Sequence, residues 1–294
     1  MEIKKILWAF DGSKESEEAL KYSVLLGKKF GSEIIGIHVL PEKLIYESEF
    51  RDWIVKVEER IKSQLTSIAY ELTSQGLNFQ RLVLKGEPDK EIVELARREK
   101  ANLIVMGKRG QGVVDRMLTG STTLKVLRES NTPVLTVKKR DEKATPDIRK
   151  ILVPIDICED SDSAINYAID LGLKLKAGIS VLYVFSLYFY DYEIPYTALD
   201  DLINASSIEL SRRVEEIKLK RQVTDNEVAK LEINTEAIHG ISTAISIVDY
   251  ASKIDADLIV INTRGRKGVK RLILGSVTEK VIQEAPCAVL ALKP

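Results

Sequence analysis

Ala101-Asn102-Leu103-Ile104-Val105-Met106-Gly107-Lys108-Arg109-Gly110 is a short apolar run that breaks into a glycine turn. Ala256-Asp257-Leu258-Ile259-Val260-Ile261-Asn262-Thr263-Arg264-Gly265 says the same thing 155 residues later. A run this short, rich in Ile and Val and bounded by turn residues, reads as a strand buried on both faces. Its recurrence makes the chain a repeat, which decides the fold before any single element does.

Working outward, other landmarks recur. Ile6-Leu7-Trp8-Ala9-Phe10-Asp11-Gly12-Ser13 answers to Ile151-Leu152-Val153-Pro154-Ile155-Asp156, at an offset of 145. Ile35-Gly36-Ile37-His38-Val39 answers to Ser180-Val181-Leu182-Tyr183-Val184 at the same offset, and Pro133–Val137 to Pro286–Leu290 at 153. The second copy therefore carries a ten-residue insertion between its second and fourth strands and a two-residue deletion near its end. This predicts domains over 1–139 and 149–294, with the polar, Pro146-containing segment 140–148 as linker.

Strands are expected at about 3–10, 33–40, 79–84, 102–106 and 133–138, and again at about 148–155, 179–186, 230–238, 257–261 and 287–292. Helical spacing fills about 15–29, 44–75, 88–100 and 121–130 of the first copy. Alternating strands and helices imply βαβ units, hence an α/β fold with two doubly wound parallel five-stranded sheets.

Ligands of such sheets bind beyond the carboxyl ends of the strands, where strand order reverses. Asp11 and Asp156 close the first strand of each copy, and a glycine loop follows each fourth strand. Both features serve one ligand only if strands one and four are neighbours, which the order 3-2-1-4-5 provides. The first loop runs Gly107-x2-Gly110-x9-Gly120-Ser121-Thr122, and the second keeps this spacing as Asn262, Gly265, Gly275, Ser276 and Val277. Gly107 and Gly110 permit close backbone approach and positive φ, and Asn262 is the non-glycine residue that best tolerates the left-handed region. Gly120-Ser121 opens a helix whose free N–H groups favour an anion. Five cations in the second loop, Arg264, Arg266, Lys267, Lys270 and Arg271, suit a polyphosphate.

The glycine loop, the Asp ending the first strand and the His38-Val39 end of the second together resemble the universal stress protein family. The resemblance covers nearly the whole chain as a tandem of two such domains, Rossmann-like and nucleotide α-hydrolase-like. It implies an ATP-binding regulatory protein of the stress response, with Mg as a companion of the nucleotide. The site it implies is Ala9, Asp11, Val39, Met106, Gly107, Gly110, Gly120, Ser121 and Thr122 in the first copy. In the second copy it is Pro154, Asp156, Val184, Ile261, Asn262, Gly265, Gly275, Ser276 and Val277. The Asp and the second-strand Val would meet adenine and ribose, and the loop and helix start the phosphates. Ala9 departs from the Pro that many members carry before the Asp, as the second copy does with Pro154. The resemblance also implies pairing of the last strands, Val134–Val137 and Ala288–Leu292, into a built-in dimer, and allows a further homodimer.

Plainer readings stand beside these. Asp11 before Gly12-Ser13 could be a turn former or helix cap. His38 reads as a packed or edge residue rather than a catalyst. The aromatics of 183–196 read as a packing cluster or as a partner surface. Cys158 and Cys287 have no C-x-x-C spacing, so they read as unpaired thiols in a reducing, cytoplasmic setting. There is no G-x-x-x-x-G-K-[ST] lysine, Asp pair or Ser-His-Asp arrangement, so binding with at most slow hydrolysis is expected. An interaction module without nucleotide, and a slow ATPase, remain the alternatives.

Composition narrows the field. Of 294 residues, 45% are apolar and 30% charged, and 44 basic residues balance 44 acidic ones. A zero net charge argues against a dedicated nucleic-acid binder. No apolar run reaches the roughly 20 residues of a membrane span. Met1–Trp8 reads straight into a strand rather than as a signal peptide.

Overall fold

A computed structural model describes residues 2–41, 51–110, 119–139, 145–157, 162–186, 196–263 and 274–293. The chain divides into two compact units, Glu2–Pro146 and Asp147–Pro294. The first contains β1 (Lys5–Ala9), α1 (Lys14–Phe30), β2 (Glu33–Pro41), α2 (Arg51–Ser74), β3 (Phe79–Gly86), α3 (Pro88–Arg98), β4 (Leu103–Gly107), α4 (Ser121–Glu129) and β5 (Val134–Val137). The second contains β6 (Lys150–Ile155), α5 (Asp162–Leu175), β7 (Gly178–Phe185), α6 (Tyr196–Gln222), β8 (Ile233–His239), α7 (Thr243–Lys253), β9 (Leu258–Asn262), α8 (Ser276–Glu284) and β10 (Ala288–Leu292).

Within the first unit the strands lie in the order β3-β2-β1-β4-β5, and within the second β8-β7-β6-β9-β10. Every pairing inside a unit is parallel. Leu7 stands beside Ile35 on one side and Ile104 on the other, so β1 lies between β2 and β4 and the ends of strands one and four are neighbours. The central strands are buried on both faces, which is why their sequences run apolar without alternation. The outer strands β3 and β8 are less covered and expose Gln80, Arg81, Lys85, Asn234 and Glu236, polar side chains that suit a sheet margin.

Local chemistry sets the helix ends. Ser13 caps α1, its hydroxyl accepting the Ser16 N–H at 3.1 Å. Glu15 and Glu17 sit at the positive end of that helix, and Lys28 and Lys29 at the negative end. Gly31 closes α1 in the left-handed region at φ 71°. Lys176 holds the same place after α5 at φ 59°, and Lys100 and Asp255 share another such place at φ 53° and 51°. The backbone of the two copies thus agrees where the side chains do not.

Two boundaries differ from the sequence expectation. Strand 230–238 starts only at Ile233, because Asp225 accepts the Glu227 N–H at 3.0 Å and caps a 3-10 turn over Asn226–Lys230. Helix 88–100 stops at Arg98, because Lys100 has turned left-handed. The start of the expected helix at 44 and the linker core 140–144 lie outside the described residues.

Candidate functional site

At the carboxyl ends of β1, β2 and β4 the first unit encloses a cavity of about 380 Å³. All nine first-copy candidates, Ala9, Asp11, Val39, Met106, Gly107, Gly110, Gly120, Ser121 and Thr122, line it. So do Phe10, His38, Arg109 and the apolar side chains Trp53, Ile54 and Val57. The cavity therefore has two characters. Its wall over β2, α2 and α3 is largely apolar, and its wall over β4 and the start of α4 adds glycines and hydroxyls to Met106 and Arg109.

The loop wall is built from a few hydrogen bonds. The Lys108 N–H donates to Val137 O at 2.7 Å, and the Gly120 N–H returns to Lys108 O at 2.9 Å. The Thr123 hydroxyl donates to Gly107 O at 3.0 Å, tying α4 to the end of β4. The second unit repeats each bond: Thr263 N–H to Leu292 O at 2.7 Å, Gly275 N–H to Thr263 O at 2.8 Å, and Thr278 hydroxyl to Asn262 O at 2.8 Å. Gly120 offers no side-chain cap, and the first turn of α4 holds no acid, so the helix start is open to a negative charge.

The loop glycines are needed for space and not for positive φ, which corrects the expectation for Gly107 and Gly110. Among the described residues the glycines with positive φ are Gly12, Gly31, Gly76 and Gly86. A Cβ on Gly107 would lie 3.0 Å from the Glu15 backbone and from Ser16 N, where α1 crosses the end of β4. A Cβ on Gly110 would lie 2.7 Å from Asp11 Oδ2. Asn262 is likewise not left-handed: it is the last residue of β9, and its side-chain oxygen accepts the Ser163 hydroxyl at 3.2 Å.

Asp11 fulfils its plainer reading and also faces the cavity. Its Oδ1 accepts the Ser13 N–H at 2.9 Å, which shapes the turn into α1, with Gly12 at φ 78°. Ile157 replaces Gly12 in the second copy without adopting positive φ. There Arg213 of α6 reaches the connection instead, donating from Nη1 to Ile157 O at 3.0 Å and from Nε to Asp162 at 2.9 Å.

Sequence reasoning missed the ion pair at the loop's entrance. Glu15 accepts the Arg109 N–H at 2.5 Å and the Arg109 Nε at 2.8 Å, and Nη2 joins the same carboxylate. Both side chains are largely buried, at 7% and 17% exposure, so the pair fixes the loop's first turn rather than waiting for a ligand. The residues are 94 positions apart, so no local pattern reveals them. The repeat carries one signal: Asp160 and Arg264 occupy the matching places of the second copy.

His38 is a cavity residue, not merely a packed one. Its Nδ1–H donates to Phe10 O at 2.8 Å. Burial lowers its pKa below the ordinary imidazole value, against the opposing pull of the Phe10 carbonyl and the Asp11 charge. The native state thus favours neutral imidazole. Its stabilising share is complete above the unfolded value near 6.5 and is lost as pH falls through the lower native value. Between pH 7.5 and 5.5 the thermal midpoint of the first unit is expected to fall further in the wild type than in His38→Gln. Equal falls, measured by circular dichroism, would refute this.

In the second unit Pro154 and Asp156 stand at the end of β6, Val184 in β7, Ile261 and Asn262 in β9, and Gly275, Ser276 and Val277 at the start of α8. The start of α8 carries Glu279, whereas the matching residue of α4 is Leu124, so it is less hospitable to an anion. Gly265, the five loop cations, Cys158 and the tyrosines at 188, 190 and 192 lie outside the described residues. Among the described residues no group of three His, Cys, Asp or Glu side chains could hold a metal. Nor is any helix among the described residues long and apolar enough to cross a membrane.

Comparison with known proteins agrees with the repeat. The universal stress protein family model matches residues 2–138 and again 147–293. A universal stress protein of Methanocaldococcus jannaschii is 30% identical over 159 residues, covering 47% of this chain and 96% of its own length. A universal stress protein of Mycolicibacterium smegmatis is 22% identical over 303 residues, covering 98% of this chain and 97% of its own length. The crystal structure of a universal stress protein from Archaeoglobus fulgidus superposes with a TM-score of 0.73 at 23% identity, covering 100% of this chain and 99% of that one. With two domain-length matches and the same α/β fold, the chain belongs to the universal stress protein family, as two such domains in tandem.

Proposed function

We propose that this protein is a regulatory nucleotide binder that holds ATP, with its accompanying Mg, in the first-unit cavity. The observation that carries the reading is the pairing of an apolar wall with an uncapped helix start around one cavity of about 380 Å³. An apolar wall suits a base, and N–H groups and hydroxyls at a helix start suit phosphates. Several such bonds to one phosphate add up, each charge at a helix start contributing about 0.3–1 kcal/mol. On this reading Asp11, beside Gly110, accepts from ribose hydroxyls, and Val39 and Met106 pack on the nucleoside.

The second-unit residues Pro154, Asp156, Val184, Ile261, Asn262, Gly265, Gly275, Ser276 and Val277 form a weaker site on this reading, because Glu279 and Val277 replace Leu124 and Thr122. The chain works by binding, with turnover at most slow, and in the cytoplasm. On the family resemblance the reading extends to pairing of the two domains within a chain and of two chains with each other. Denaturing the purified protein is expected to release adenine nucleotide detectable by mass spectrometry, and calorimetry on stripped protein to record ATP binding. No nucleotide and no heat at millimolar ATP would overturn the proposal.

A further inference from the structure

Helix α2 packs through Ile54, Ile61, Leu65, Ala69 and Leu72, a helical stripe of buried side chains. Trp53 stands beside that stripe with 52% of its surface exposed, and it lines the cavity next to Ile54 and Val57. Full burial of a tryptophan is strongly favourable, yet the fold leaves this one half open at the rim of an apolar wall. That position puts an indole at the rim of the cavity, where a flat apolar occupant would meet it.

The layout says which part of a ligand would lie there. β1 separates β2 from β4, so the wall near Trp53 and the loop near Gly110 and Gly120 lie on either side of Asp11. Two strand spacings amount to about 10 Å, a span that a nucleoside bridges between its base and its phosphates. With the phosphates at the start of α4, the base falls against Val39, Pro41 and Trp53. We propose that Trp53 is the specificity-determining residue of this site: its indole stacks on the base and favours purine over pyrimidine nucleotides. This rests on the reading of the cavity as a nucleotide site.

Stacking on an aromatic side chain draws on the ring's π-face and so follows ring area more than hydrogen-bonding edges. In calorimetric titrations of stripped full-length protein, Trp53→Ala is expected to weaken ATP and GTP about 10-fold and CTP by no more than about 3-fold. Trp53→Phe keeps ATP within about 3-fold, because a smaller ring still stacks. The chain has two tryptophans, and Trp8 is fully buried, so acrylamide quenching reports on Trp53 in the first unit. ATP is expected to protect that fluorescence. An unchanged ATP affinity in Trp53→Ala, or an equal loss for all three nucleotides, overturns the role of Trp53 and leaves the nucleotide reading standing. A wild type that binds none of the three overturns that reading, and the role of Trp53 with it.

Discussion

Gly110→Val is expected to weaken ATP binding by the first unit at least about 100-fold while leaving the protein folded. The first carbon of the new side chain would lie 2.7 Å from Asp11 Oδ2, well inside contact distance. Asp11 cannot swing away freely, since its other oxygen holds the Ser13 N–H at 2.9 Å and shapes the turn that starts α1. Movement of the carboxylate therefore goes into the cavity that it lines, where the nucleotide would be. The valine methyls add bulk to the same loop, which has Gly120 at its other end. A loss of about 100-fold corresponds to about 2.8 kcal/mol of binding, the scale of one displaced charged group together with its contacts. Calorimetry with ATP, alongside an unchanged thermal midpoint, checks it. An unaltered affinity would remove this loop from the site.

Trp8→Ala is expected to destabilise the first unit by about 3–5 kcal/mol, the range for removing a large aromatic side chain from a packed core. Trp8 is fully buried and packs near Phe10 and Phe79, with ring centroids 5.0 and 6.3 Å away. Its indole N–H donates to Ser16 O at 2.8 Å, so truncation also removes that buried hydrogen bond. For a unit of this size that corresponds to a fall of roughly 10–20 °C in the melting transition. Ser16 lines the cavity, so the same substitution is expected to loosen the site that α1 supports. A first-unit transition within a few degrees of the wild type, by scanning calorimetry, would refute the assignment of Trp8 as the core's anchor.

The repeat, the alternation of elements and the glycine spacing were all legible in the chain, because each is a pattern in neighbouring residues. Strands buried on both faces leave uninterrupted Ile and Val runs. Turns that need close approach leave glycines, and helices need caps such as Ser13. The nine first-copy candidates fall around one cavity for that reason. What was not legible is what depends on distant partners. The requirement for glycine at 107 comes from the α1 backbone, which lies over 90 positions earlier, and not from a local φ preference. Asn262 departs from expectation for the same reason: its side chain answers Ser163, and its backbone is an ordinary strand end.

The sequence by itself determined two α/β domains of one family, and the chemical types at the ends of strands one and four in each. Those follow from hydrophobic periodicity and turn chemistry, which act over a few residues. Only the tertiary structure decided that Arg109 is engaged by Glu15, that His38 faces the cavity rather than lying buried beneath it, and that Trp53 forms its rim. Each of these results from elements far apart in sequence converging beside one strand end. Burial, charge pairing and pKa there are set by the neighbours that convergence supplies, and a linear pattern does not carry them.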